Sequence, residues 1–422
     1  MGLINLGYHH IVWIVLFFGW FTLYMSRMAF SPYIILIMGE FHVTYVEAGF
    51  LTSAYFYSYV VMQFTAGHLG DRFGRKRILE IGCFMMALIA LLMGFSNTFM
   101  LLFVLFFGFT QGFYFGNDRS IISYYTPKEK MGIGQALGFV GAGLGFAAGT
   151  ILGGFLAQIF GWRYALSFMA APLFMSATLI WKFIKEPPIQ GGRSGCKGKR
   201  IYYWEIFKHR DLWLIYFANF FAMYPFWTIS TWAPKTFLEV GVPELATASI
   251  FSSLFGLSSI PGLLIVGSLL DKMVERRVGR KVIGSISLIF IALFTALIGF
   301  GFQNQSSVWV LALFVFIGGM FNWGVFATFY AIIAEICPPE IYGTTFGFFN
   351  AIGFLSSIIA PIVAGWLKDI TGSFTYGFYI AAIMATLGCI IMVMFRTVYK
   401  LRIEKPLNFR SNFTQYNVGA RS

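Results

Sequence analysis

The chain has 422 residues, 58% hydrophobic, 20% aromatic and only 11% charged, and its 30 Lys+Arg against 17 Asp+Glu give a net charge of +13. Water-soluble domains carry roughly 25% charged and about 45–50% apolar residues. A chain this poor in charge cannot cover a surface facing water, so its outer surface must meet lipid. Its cysteines, Cys83, Cys196, Cys337 and Cys389, are far apart with no CxxC pair, which leaves buried or incidental thiols and suggests no zinc or iron–sulfur site.

A bilayer core takes ~20 largely apolar residues per helix. On that measure the sequence predicts spans near 11–36, 45–66, 78–96, 100–123, 132–157 and 164–185, then near 211–233, 247–270, 281–302, 308–334, 344–366 and 376–397. The first apolar run is too long for a signal peptide, carries Arg27 and lacks a small-residue cleavage site, so it reads as a span. The polar stretch 186–210, with Pro187, Pro188, Gly191, Gly192 and a run of Lys and Arg, separates six spans from six. The expected organisation is therefore a bundle over 1–185, a central loop over 186–210, a second bundle over 211–397 and a basic tail over 398–422.

Charge gives the orientation. Loop 67–77 carries Arg72, Arg75, Lys76 and Arg77, and loop 271–281 carries Lys272, Arg276, Arg277, Arg280 and Lys281. Only Arg163, Lys235 and Lys368 fall on the other side, and Arg27 and Arg119 fall within spans, which leaves 30 − 3 − 2 = 25 basic residues on one face. The positive-inside rule places that face, both termini and the central loop in the cytoplasm of a multi-pass cell-membrane protein. The basic charge thus marks a membrane side rather than a nucleic-acid partner.

The halves also repeat each other. Gly67-His68-Leu69-Gly70-Asp71-Arg72-Phe73-Gly74-Arg75-Lys76 is echoed by Gly267-Ser268-Leu269-Leu270-Asp271-Lys272 at an offset of 200, then by Gly279-Arg280-Lys281 at 205. Pro127, Gly132, Gly154 and Gly161 recur as Pro338, Gly343, Gly365 and Gly372 at an offset of 211. Such agreement implies two six-helix bundles related by duplication.

The segment Gly67-x-Leu69-x-Asp71-Arg72-x-Gly74-Arg75-Lys76 resembles the signature loop of the major facilitator superfamily, and the second copy extends the resemblance over the whole chain. The resemblance implies an all-α membrane fold of twelve transmembrane helices in two pseudo-symmetric bundles, which rock about a midplane substrate site. The same residues have a physical reading of their own: glycines for a tight turn, and an aspartate that caps helix ends or pairs with arginines. Gly67, Asp71, Arg72, Gly74 and Arg75, with Asp271 and Arg280 in the second copy, are either a conformational latch or topology-setting charge. Glu335, at the end of span 10, is expected to join Arg280.

Tyr24-Met25-Ser26-Arg27 in span 1 is similar to the Tyr-x-x-Arg stretch of organophosphate antiporters and anion:cation symporters, in which the arginine meets an anionic substrate. Gly108-Phe109-Thr110-Gln111-Gly112 and Gly161-Trp162-Arg163 are similar to the anion:cation symporters. Span 7 has no arginine to clamp phosphate, span 4 offers Asp118 rather than an acid near Phe115, and span 5 lacks the Gly-Pro pair of drug antiporters. An organic anion is therefore favoured over phosphate exchange and drug efflux.

Charge inside a bilayer costs about 2.5–3.5 kcal/mol on insertion scales and usually persists for a function. Arg27 shares a helical face with Trp20, Tyr24 and Ser31 and is read either as a bidentate carboxylate ligand or as a partner of Asp118. Asp118 is placed on one face with Gln111 and Tyr114, as proton carrier or structural partner, and Arg119 is assigned a structural or gating pairing. The second half offers polar and aromatic groups only, among them Tyr224, Asn322 and Asn350, whose buried polar tips need partners. Tyr24, Gln111, Tyr114, Tyr224, Asn322 and Asn350 complete the predicted substrate wall around Arg27.

The expected activity is secondary transport of a small organic anion, such as a monocarboxylate, by proton symport; a sugar or other neutral metabolite is the alternative, and a drug or metabolite exporter is less favoured. The expected partners are that solute, protons and the lipid bilayer, with the chain working as a monomer. No nucleophile elbow, HExxH or phosphate-binding Gly-Lys loop points to an enzyme, and no cofactor or metal is implied.

Overall fold

The computed structural model describes residues 7–109, 111–127, 130–187, 209–275, 279–337 and 342–395. Most of the predicted central loop, the tail 398–422, Arg276, Arg277 and Pro338 lie outside the described residues, as do the side chains of Gly67, Asp71, Gly132, Asp271 and Gly343. Span 1 is α1 (Tyr8–Met28) and α2 (Phe30–Phe41), span 2 is α3 (Tyr45–Phe73), and span 3 is α4 (Arg75–Met93). Span 4 is α5 (Phe99–Gly108) with α6 (Asn117–Tyr125), and spans 5 and 6 form α7 (Met131–Phe183). Span 7 is α8 (Arg210–Glu239), and span 8 is α9 (Leu245–Leu257) with α10 (Ser259–Glu275). Spans 9 to 12 are α11 (Arg280–Gln303), α12 (Val308–Ile336), α13 (Tyr342–Thr371) and α14 (Thr375–Val393). The chain thus makes twelve crossings in two bundles of six.

Two expectations need correction. The segment 67–77 is not an open loop: α3 runs to Phe73, only Gly74 (φ 100°) breaks the helix, and α4 starts at Arg75. The first amides of α4, on Lys76 and Arg77, donate to the Glu186 carboxylate at 3.2 and 3.3 Å, so the end of span 6 supplies their cap. Nor is span 4 one helix. Its two pieces are separated by a stretch that ends at Gly116 with φ 97° and ψ −47°, a backbone that an L side chain resists. Gln111, Tyr114 and Asp118 therefore do not share one helical face.

The duplication is visible in contacts as well as letters. Gly161 (φ 78°) and Gly372 (φ 74°) make the same left-handed turn, between spans 5 and 6 and between spans 11 and 12. Lys76 Nζ donates to the Trp181 carbonyl at 2.8 Å, and Lys281 Nζ donates to the Phe395 carbonyl at 3.2 Å. Each half also caps the other. Gln158 Oε1 accepts from the Ala246 amide (2.8 Å) at the start of span 8, and the Asp369 carboxylate accepts from the Tyr45 and Val46 amides (3.1 and 2.8 Å) at the start of span 2. The two capping residues are 211 apart (369 − 158), and Ala246 and Val46 are 200 apart.

These caps lie on the face opposite Gly74. Deeper on the same side Ser53 Oγ donates to the Ile358 carbonyl (2.7 Å) and Ser31 Oγ to the Thr231 carbonyl (2.8 Å). Gly154 meets the start of span 8 and Gly365 meets the backbone of Tyr45, close approaches that a Cβ would block. The halves are locked together on this side, and the larger cavity lies between them beyond the Arg27 level, toward the face that carries Gly74.

Candidate functional site

The break in span 4 aims its short second piece at span 1. Asn117 secures the turn by donating to the Ala66 and Phe113 carbonyls at 3.2 and 2.8 Å. Asp118 is fully buried and accepts from Trp20 Nε1 at 2.7 Å on Oδ2. Among the described residues Oδ1 has no well-aligned side-chain donor, and the backbone of Gly116 and Arg119 lies beside the carboxylate. Arg119 lies with Nε 3.5 Å from the same Oδ2, donates through Nη1 to the Gln135 backbone carbonyl and side chain, and stacks 4.6 Å over Phe139. Asp118 and Arg119 thus form one acid–base pair in the first turn of α6, next to the break.

Arg27 stands apart from that pair. Its Nη2 donates to Gln111 Oε1, and Gln111 Nε2 is fixed in turn on the Leu23 carbonyl at 2.7 Å. Among the described residues Nε and Nη1 have no well-aligned hydrogen-bond acceptor although the side chain is buried, and the Tyr55 hydroxyl is the polar group that interacts with the guanidinium. Five rings surround the guanidinium carbon: Tyr24 at 4.5 Å, Tyr55 at 4.9 Å, Tyr59 at 5.2 Å, Phe56 at 5.8 Å and Trp227 at 5.9 Å. Ring faces attract a cation, yet they cannot accept its N–H bonds as a carboxylate does.

Two cavities flank this cage. The larger, of about 60 Å³, has room for several waters or a small solute; it is walled by Trp20, Tyr24, Tyr59, Phe139, Trp227, Trp323, Tyr330 and Phe354, with Gln63, Arg119 and Asn350 as its main polar groups. The smaller, of about 30 Å³, lies toward the locked face and is lined by Arg27, Tyr55, Phe56 and Trp227 with the hydroxyl residues Ser31, Thr52, Ser230 and Thr231. Tyr24 and Tyr59 border the larger space, and Trp227 borders both, so the rings of the cage form a partition with Arg27 behind it.

Of the predicted substrate residues, Tyr24 and Asn350 line the larger cavity and Arg27 the smaller. Gln111 acts behind Arg27, and the Tyr114 hydroxyl donates to the Leu16 carbonyl at 3.3 Å. Tyr224 is buried away from both cavities, and Asn322 points its amide at the Ala222 carbonyl at 3.4 Å. Asp118 pairs with Trp20 and Arg119 rather than with Arg27. Arg280 Nε meets Glu335 Oε1 at 2.9 Å, as the sequence led us to expect, and Arg72 lies on the Phe73 ring. Sequence reasoning missed Tyr59, Gln63 and Phe139. The repeat held a signal for Phe139, because Asn350 is its counterpart at the offset of 211.

Twelve crossings, an internal repeat and a cavity between the halves define a membrane transporter that works between two bundles. The match to the Major Facilitator Superfamily model covers residues 16–278 and 273–415, and the chain belongs to that family. A probable sulfoacetate transporter of Cupriavidus necator is 24% identical over 94% of this chain and 95% of its own length. A probable galactarate/D-glucarate transporter of Escherichia coli is 23% identical over 83% of this chain and 84% of its own. Among solved structures, a D-xylose–proton symporter superposes with a TM-score of 0.75 at 15% identity, covering 92% of this chain and 98% of its own, a likeness of fold alone. The chain is therefore a transporter, not an enzyme, with organic-anion transporters among its relatives.

Proposed function

We propose that the chain is a secondary active transporter that carries a small organic acid across the cell membrane by alternating access, in symport with protons. The observation behind this reading is the Arg27 guanidinium, which is buried among neutral partners, Gln111 and Tyr55, and among the described residues has no carboxylate partner. A cation kept out of water without a counter-charge is costly, and an arriving carboxylate or sulfonate relieves that cost while gaining a forked contact. Relatives named for sulfoacetate and for galactarate/D-glucarate support an acidic solute. Those relatives make sulfoacetate and D-glucarate the first solutes to test.

In this reading Asp118, fully buried beside Arg119, carries the proton, and the Arg119 contact shifts as the proton comes and goes. The basic face lies in the cytoplasm, so the larger cavity faces inward and the interlocked caps close the outer side. Gly67, Asp71, Arg72, Gly74 and Arg75, with Asp271 and the Arg280–Glu335 pair, act as the latch of the opposite state. The chain works as a monomer.

The test is uptake of labelled sulfoacetate and D-glucarate into proteoliposomes under an imposed pH gradient. The native chain gives saturable, gradient-driven uptake, Tyr224→Phe keeps it, Arg27→Ala loses it, and Asp118→Asn loses the response to the gradient. Normal uptake by Arg27→Ala would remove the anion site. Transport retained after neutral replacement of both Arg27 and Asp118 would favour a neutral metabolite instead.

A further inference from the structure

Arg27 does not line the larger cavity. The cation on that wall is Arg119. Asp118 sits beside its Nε, the Gln135 carbonyl and side chain take Nη1, and among the described residues no acceptor takes Nη2. Two further groups on the same wall have unmet capacity. Asn350 Oδ1 accepts from the Tyr330 hydroxyl at 3.0 Å, which leaves Nδ2 as an unpaired buried donor. Gln63 Nε2 donates to the Tyr59 hydroxyl at 3.0 Å, which leaves Oε1 as an unpaired buried acceptor. Gln63 and Asn350 both line the cavity, and among the described residues one keeps an acceptor and the other a donor without a partner, closed off in this state. Once side-chain rotation uncovers them they match an aliphatic hydroxyl, which accepts from a donor and donates to an acceptor.

Arg119 is also well placed for a handover. Trp20, bonded to the neighbouring Asp118, is seven residues before Arg27 on span 1, which corresponds to a separation of roughly 10 Å along the helix. The rings of Tyr24, Tyr59 and Trp227 pack on Arg27 and also line the cavity that holds Arg119, so they stand between the two guanidinium groups.

We propose that the larger cavity is a separate first station for a hydroxylated organic acid: Arg119 takes the acidic group, Asn350 Nδ2 and Gln63 Oε1 take a hydroxyl, and the solute passes to Arg27 when the aromatic partition moves. The proposal rests on the organic-acid reading above and adds the entry ligand and the preferred solute class. It gives Arg119 a substrate contact in addition to its pairing with Asp118.

Trp20, Trp227 and Trp323 line this cavity, so in a full-length background with the other eight tryptophans replaced by Phe, emission of the purified chain reports on it without any transport. Iodide serves as the anionic quencher and acrylamide as the neutral one. The ratio of iodide to acrylamide quenching falls in Arg119→Gln, is preserved in Arg119→Lys, and stays at the native value in Arg27→Gln. The double variant Asp118→Asn/Arg119→Gln leaves no lone buried charge and guards against misfolding; it falls like Arg119→Gln. Glycerate then displaces iodide at about tenfold lower concentration than propionate, the size expected for filling otherwise unpaired polar groups, and the gap closes in Asn350→Leu. An unchanged ratio in both Arg119→Gln and the double variant, or an equal fall in Arg27→Gln, overturns the entry station. Equal displacement by glycerate and propionate overturns the hydroxyl preference. If uptake survives Arg27→Ala while these quenching results hold, the transport reading fails and the station stands.

Discussion

Span 4 and span 10 are counterparts at the offset of 211, and they have become opposites. Gln111 corresponds to Asn322 and Arg119 to Tyr330, yet span 4 is broken before Asn117 and holds an ion pair, whereas span 10 runs unbroken from Val308 to Ile336 with neutral groups on its cavity side. The partners diverged together. Arg119 stacks on Phe139 in the first half, and in the second the Tyr330 hydroxyl bonds Asn350, the counterpart of Phe139. Span 10 has kept a continuous helix while span 4 has given up helical hydrogen bonds to present charge. A duplicated bundle can thus divide its labour, with the charged groups concentrated where the backbone is irregular and buried within protein.

The largest expected effect that tests this division is on Arg27. Its loss in Arg27→Ala should lower initial uptake of a transported acid by at least about 30-fold, since truncating one member of a buried charged contact costs roughly 2–5 kcal/mol. The counterpart at the offset of 200 is Trp227, and Trp227→Phe should cost far less; an equal loss would mean that the halves are not divided in this way. Next come the paired turns. A Cβ at Gly161 or Gly372 meets nothing within 4 Å, so alanine at either site pays for backbone conformation alone, about 1–2 kcal/mol. Thermal unfolding should register the two variants alike, and a marked difference would break the structural equivalence that the matched φ angles indicate. Smaller again is Ser31→Ala, which removes the hydroxyl bond to Thr231, its own counterpart, and should weaken the closed state by roughly 1 kcal/mol in a measured distance distribution between the halves.

The smallest effect belongs to Glu40, half-exposed on the locked face. Its carboxylate accepts from Arg163 (2.5 Å) and Trp162 (2.7 Å). Glu40→Gln keeps an acceptor oxygen and removes the charge, so thermal unfolding at neutral pH should show a cost below roughly 1 kcal/mol.

The spans and the repeat were legible in the sequence because lipid imposes its demands residue by residue. Apolar length, basic loops and recurring glycines such as Gly161 and Gly372 are local facts that no tertiary contact overrides. The break in span 4 was hidden for a related reason. Residues 100–123 are apolar enough to pass for one helix, and only the run Gly108, Gly112 and Gly116 hinted at an interruption. Candidate charges were also findable, since Arg27, Asp118 and Arg119 stand out against an apolar background. Their partners were not. Helical spacing places Trp20, Tyr24, Arg27 and Ser31 on one face, but the partition between two cavities depends on where rings from spans 2 and 7 pack, and a single-helix pattern carries nothing about that.

The two caps on the locked face differ in one respect that solution ions can feel. Gln158 grips span 8 through a neutral amide, whereas Asp369 grips span 2 through a full negative charge set against the positive end of a helix. Dissolved salt screens exposed charges over about 8 Å at physiological strength and leaves an amide hydrogen bond nearly untouched. Brine on that face therefore loosens one edge of the closure before the other, so that opening begins beside span 2. The expected signature is a rate of opening that rises with salt in the native chain and stays flat in Asp369→Asn, a dependence on the surrounding medium written far from any solute.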